Sequence, residues 1–115
     1  MNLTGKTFRA IANSRHGALN TDTRMTFLSE AGSHITGVYS GGTITTGTVV
    51  ARRTSDSTIA MLYQCITTAG ELKAGQASAR FSRGAEQRTC MHLDWQWLTD
   101  DRAKGVSEWL LDEGS

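Results

Sequence analysis

The chain has 115 residues, enough for one hydrophobic core and too few for two, so a single domain over 1–115 is expected. Apolar residues make up 38%, and 12 basic and 11 acidic side chains nearly cancel to +1, which argues against a disordered chain and against the clustered basic footprint of a nucleic-acid binder. No apolar run approaches the roughly 20 residues of a membrane helix, and MNLTGKTFRAIAN lacks the apolar stretch of a secretory signal; a cytoplasmic, membrane-free protein with free thiols at Cys65 and Cys90 is expected.

Twelve glycines and no proline favour sheet, because proline cannot donate to a strand ladder while glycine serves turns and bulges. Lys6–Asn13, with Phe8, Ala10 and Ala12 in phase, reads as the first strand and ends in the polar loop Ser14–Thr23. Arg24–Glu30 carries Met25 and Phe27 in phase, and Ala31-Gly32-Ser33 turns the chain into His34–Ser40, with Ile35 and Tyr39. Gly41-Gly42 is a two-residue hairpin signal, since primed turns require positive φ. Thr43–Arg53 is rich in β-branched residues, with Gly47 read as a bulge or bend.

After Ser55-Asp56-Ser57, Thr58–Thr68 places Ile59, Met61, Tyr63 and Cys65 on one face. Ala69-Gly70-Glu71 leads to Leu72–Ser82, where Gly75 and small alanines admit close approach, and Arg83–Glu86 turns into Gln87–Leu98. Beyond the charged loop Thr99–Lys104 and Gly105, Val106–Asp112 reads as an eighth strand or, in the alternative, as a turn or two of helix. In the fourth, sixth and eighth strands alternation alone leaves the inward face open. Strands at this spacing, joined by short connections, predict an antiparallel meander. Closure into an eight-stranded, all-β, up-and-down barrel removes both exposed edges and is preferred to an open β-sandwich.

The segment HLDWQW concentrates the candidate chemistry. Met91, Leu93, Trp95 and Trp97 project to one face, and Cys90, His92, Asp94 and Gln96 to the other. With the indoles inward, Tyr39, Met61, Tyr63, Trp95 and Trp97 are candidates to line a pocket for a small apolar or aromatic ligand, oriented by phenol and indole groups. The competing reading is that they simply fill the core, because an eight-stranded barrel is just wide enough for side chains or one small ligand. His92 and Asp94 are a candidate acid–base pair, against the plainer reading of a solvated strand face.

His16, His34 and His92 lie in separate segments without ligand spacing, so no metal site is expected, and no motif calls for a cofactor. Cys65 reads as a buried, inert thiol and Arg52-Arg53 as a solvated pair on opposite faces. Pairing of an outer strand face with a second copy, giving a homodimer, is a further reading.

Several spaced pieces occur in one order: Phe8 with Asn13, Ser14 and Gly17; Tyr39 with Gly41, Gly42, Ile44 and Gly47; Gly70, Glu71 and Gly75; Trp95-Gln96-Trp97; and Gly105, Ser107 and Glu108. This run resembles a family of small bacterial all-β proteins that commonly carry the label N-acetylglutamate synthase and are similar in outline to calycin barrels. The resemblance implies a calycin-like barrel, and the label implies an enzyme moving an acetyl group from acetyl-CoA to glutamate. Acetyltransferases of that kind hold the pyrophosphate at a helix N-terminus; the nearest segment is Arg102-Ala103-Lys104-Gly105-Val106-Ser107.

Overall fold

The computed structural model describes residues 1–13 and 22–112. Eight strands follow one another: β1 (Thr7–Asn13), β2 (Arg24–Ala31), β3 (His34–Gly41), β4 (Ile44–Ser55), β5 (Thr58–Thr67), β6 (Leu72–Arg83), β7 (Thr89–Trp97) and β8 (Lys104–Leu111). Each pairs antiparallel with its neighbour in sequence, and β8 returns to β1 to close the barrel, so the sandwich alternative is set aside. The eighth segment is a strand throughout. Among the described residues the one helical piece is the short 3-10 turn Ala85–Gln87. Ser14, His16 and Gly17 lie outside the described residues.

Alternation places the core, and the register stacks it in layers. In β4, β6 and β8 the inward residues are Val49 and Ala51, Gly75 to Phe81 at every second position, and Ser107 and Trp109. Around the ring, Tyr39, Gly47 and Cys65 stand in one row, and Val49, Tyr63, Gly75 and Trp97 in the next. Ala51, Met61, Ala77, Trp95 and Gly105 form the row below. In these rows Tyr39, Tyr63, Trp95 and Trp97 are each flanked across the ladder by a glycine or alanine, the arrangement that fills a closed interior without overlap. Phe8, Phe27, Ile59, Met91 and Trp109 belong to the same core, each at most 1% exposed, and burial of such a side chain contributes about 1.5–3 kcal/mol.

Four details depart from the expected pattern. The register shifts between Ala10 and Ala12 in the β1–β8 pairing, which turns Ala12 outward although it is in phase with Phe8. Gly41 pairs with Ile44, so the two-residue turn is Gly42-Thr43, one position later than expected; Gly41 and Gly42 both have positive φ, at 104° and 64°. Gly47 is neither bulge nor bend, because Tyr39, Gly47 and Cys65 pair in regular register. A Cβ there would meet Tyr39 Cε1 at 2.4 Å, so glycine is required by the ring lying over it; Gly75 stands in the same relation to Tyr63.

Arg53 is the fourth departure. It is not half of a solvated pair: Arg52 faces out, but the Arg53 side chain is 17% exposed and forms a two-pronged ion pair with Glu30, itself 6% exposed. A bulge in β2 between Phe27 and Ser29 brings Glu30 opposite inward-facing Ile35 and so aims it at Arg53. The pair also ties down the first residues. Leu3, fully buried, donates its N–H to Glu30 Oε1, and Arg53 Nη2 donates to the Met1 carbonyl. The barrel end carrying the β2–β3, β4–β5 and β6–β7 turns, called the lower end, is therefore stoppered by an apolar plug under a charged clasp.

Candidate ligand site at the upper end of the barrel

The opposite, upper end carries the β3–β4, β5–β6 and β7–β8 connections, and four of the five candidate lining residues meet there, three of them edge to face and Trp95 tilted against Trp97. Ring centroids of Tyr39 and Tyr63 lie 6.1 Å apart at 86°, and those of Tyr63 and Trp97 5.6 Å apart at 71°. Trp95 and Trp97 are 6.3 Å apart, and Met61 sits in the Trp95 row one layer below Tyr63, 3% exposed. The structure thus brings together all five residues on one side of the interior, as pleat alternation requires of β3, β5 and β7.

The two ends treat their polar groups differently. At the lower end the Trp109 Nε1–H donates to Ser107 Oγ at 3.0 Å, and both residues are fully buried. At the upper end the Tyr39 hydroxyl and the Nε1–H groups of Trp95 and Trp97 are buried, in residues 4–5% exposed, and have no hydrogen-bond partner among the described residues. Leaving such a group unpaired costs about 1–3 kcal/mol, so three at one place is a concentration of cost that native cores otherwise avoid. Burial, and then the neighbouring Cys65, push both phenols well above the ordinary tyrosine range, which keeps them protonated as donors.

One charged side chain joins this lining. Lys73 is in phase with the inward residues of β6 and pairs in register with buried Cys65; its Nζ lies 4.4 Å from the Trp97 ring centroid and 3.5 Å from Asp100 Oδ2. Sequence reasoning missed it, although its spacing from Gly75 and Ala77 was the available signal.

His92 and Asp94 lie on the outer surface of β7, as alternation predicts. His92 Nε2 is 3.9 Å from Asp94 Oδ1, beyond hydrogen-bond reach, while Nδ1 is 3.3 Å from Glu108 Oε1 across the ladder on β8. Both carboxylates are more than half exposed, so the geometry is a surface charge ladder, apart from the aromatic interior. His34 is exposed at the start of β3 beside Arg52. Among the described residues no group of three His, Cys, Asp or Glu could hold a metal ion.

Eight antiparallel strands closed in sequence order around an aromatic interior define a small calycin-like, up-and-down barrel. A family model described as "Avidin-like protein" matches residues 1–110, and the chain belongs to that family. No curated protein and no solved structure matches it. The N-acetylglutamate synthase label finds no support in these comparisons. Arg102–Ser107 also passes from a loop directly into β8, without the helix terminus that a pyrophosphate would need.

Proposed function

We propose that the protein binds one small, largely apolar ligand at the upper end of the barrel, against Tyr39, Tyr63, Trp95 and Trp97, with Met61 beneath. The observation that carries this reading is the trio of buried, unpartnered donors. Indole N–H groups can only donate, and the phenols are held protonated, so the matching ligand presents acceptor oxygens, as an amide, lactam or carboxyl compound does, on a body flat enough to lie among rings. Membership of a barrel family that typically takes up small ligands supports the same reading. Titration of intrinsic tryptophan fluorescence with a library of such compounds tests it, repeated on Tyr39→Phe and Trp97→Phe. A binder losing about tenfold in affinity with each variant is expected, the value of one hydrogen bond. No change in fluorescence or thermal stability with any compound would end the proposal.

A second reading concerns the outside of the barrel, where an open concavity of about 940 Å³ lies across β4 to β8. Val50, Leu62 and Val106 are exposed there at 65%, 59% and 43%, and Arg52, Asp94 and Lys104 bring both signs of charge to the same face. We propose a second copy of this chain as its occupant. A barrel wall is convex around its girth and concave along its axis, so it fits a copy of itself turned by roughly a right angle, and mixed charge is self-complementary across a two-fold axis. Light scattering should give a dimer mass that Leu62→Lys halves; a monomer mass at every concentration would refute it.

A further inference from the structure

We infer that residues 1–4 are a stopper that opens as a unit, jointed at Gly5 and ahead of the barrel itself, when the Glu30 carboxylate takes up a proton. The inference concerns the lower end and stands apart from the ligand reading of the upper one.

The first step is how the segment is held. Leu3 belongs to the barrel core and is fully buried, yet residues 1–4 lie outside every strand. Among the described residues, all of their hydrogen bonds to the barrel wall converge on Glu30 and Arg53. Arg53 Nη2 donates to the Met1 carbonyl at 3.0 Å, Asn2 Nδ2 to the Glu30 carbonyl at 3.5 Å and the Leu3 N–H to Glu30 Oε1 at 2.9 Å, while Thr4 Oγ1 accepts the Glu30 N–H at 3.0 Å. Pairing with β2 starts just beyond, where the Gly5 N–H donates to the Phe27 carbonyl and the Phe27 N–H to the Lys6 carbonyl. Gly5 has φ +78°, a conformation suited to glycine, with open space where a side chain would stand. A joint thus separates the segment from the ladder.

The second step is what the proton does. The Glu30 side chain is 6% exposed, accepts from Leu3 and fixes the guanidinium that holds Met1. The charged groups around it are Arg53 from β4, the Met1 amino group and, beyond the guanidinium, Asp56; β3 contributes none, because His34 faces outward beside Arg52. Protonation leaves Arg53 and the Met1 amino group as like charges beside a neutral carboxyl. Arg53 keeps that carboxyl below its ordinary value of 4.5, so the stopper is fully held above this pH and is freed as pH falls through the lower native value.

The third step is the consequence. The bonds that close the barrel run from backbone to backbone and have no proton to gain, so the ring of strands outlasts the stopper. A short segment tied through one ion pair opens at less cost than the whole fold. Withdrawal of Leu3 uncovers apolar surface at the lower end and gives the interior a second mouth, opposite the aromatic one.

The test follows two reporters on the intact wild-type protein by NMR from about pH 7 to about pH 3: the Leu3 methyl and amide signals for the stopper, and the Trp109 indole N–H, bonded to Ser107, for the barrel. In acid the Leu3 signals should move to the shifts of an unstructured chain with a midpoint below pH 4.5, while the Trp109 signal stays in place. At pH 7 the Leu3 amide of Glu30→Gln should exchange with solvent roughly thirty- to a hundredfold faster than that of the wild type, and its signals should no longer respond to acid. Leu3 and Trp109 signals lost together would overturn the separate opening, and Leu3 signals unchanged down to pH 3 would overturn the release. An acid response that survives in Glu30→Gln would overturn the role of Glu30. The first two outcomes are read on the wild type, so the inference stays testable even where the variant folds poorly.

Discussion

Replacing Glu30 by Gln removes the negative half of the lower clasp and leaves the Arg53 guanidinium facing inward. Breaking a buried ion pair in this way costs about 3–5 kcal/mol. Here Arg53 keeps the Met1 and Asp56 carbonyls as acceptors, at 3.0 and 3.1 Å, and is not wholly shielded from water, which lowers the expected loss to about 2–3 kcal/mol. In urea denaturation at pH 7 the variant should therefore show a much lower midpoint with an unchanged slope. The dependence on pH gives a second handle. Arg53 holds the Glu30 carboxyl below its ordinary value of 4.5 against the opposing effect of burial. A depressed native pKa stabilises the fold fully above the unfolded-state value and loses that contribution as pH falls through the native one. The gap between wild type and variant should accordingly close in the acid range below about pH 4.5. A double-mutant cycle with Arg53→Met assigns the coupling to the pair. Equal midpoints at pH 7, or a gap unchanged at pH 3, would refute the reasoning.

Gly47→Ala and Gly75→Ala place a methyl group 2.4 Å from Tyr39 Cε1 and 2.5 Å from Tyr63 Cζ, and each should cost about 1–3 kcal/mol in denaturation together with an altered aromatic circular dichroism signal. Tyr39→Phe removes a buried, unpartnered hydroxyl and should raise the stability of the free protein by about 1 kcal/mol while weakening ligand binding, measured by paired thermal and fluorescence titrations. Alkaline absorbance titration should find neither of the two tyrosines ionising near pH 10 in the folded state, and both doing so in denaturant.

The sheet was legible because period-two alternation is enforced by burial: Met25 and Phe27, Ile59 to Cys65, and Met91 to Trp97 all face the interior as read from sequence. Closure followed from short connections and the penalty of open edges. The aromatic lining was legible for the same reason, since Tyr39, Tyr63 and the two tryptophans share a face on their own strands. What escaped depended on partners distant in sequence. Glu30 sits on the wrong phase of β2 until the bulge after Phe27 shifts it, so it could not be seen as inward, and Arg53, although in phase with Val49 and Ala51, had no visible partner. Gly47 and Gly75 resemble ordinary strand glycines until the register sets a tyrosine across from each. Lys73 was in phase all along, but a lysine at a strand end reads as solvated unless the ring it covers is known. The three donors without a described partner belong to tertiary geometry alone, because only the finished interior shows that Trp109 finds Ser107 and that Trp95 and Trp97 find no such hydroxyl among the described residues.

Tyrosine and glycine facing each other across a ladder also restrict how this sequence can drift. Enlarging Gly47 alone drives a methyl into the ring, and shrinking Tyr39 alone opens a hole, so either solitary change passes through a weakened intermediate. Divergent descendants of this chain should therefore retain both members or exchange them together, and the two pairs, Tyr39 with Gly47 and Tyr63 with Gly75, should leave correlated columns in any set of related sequences.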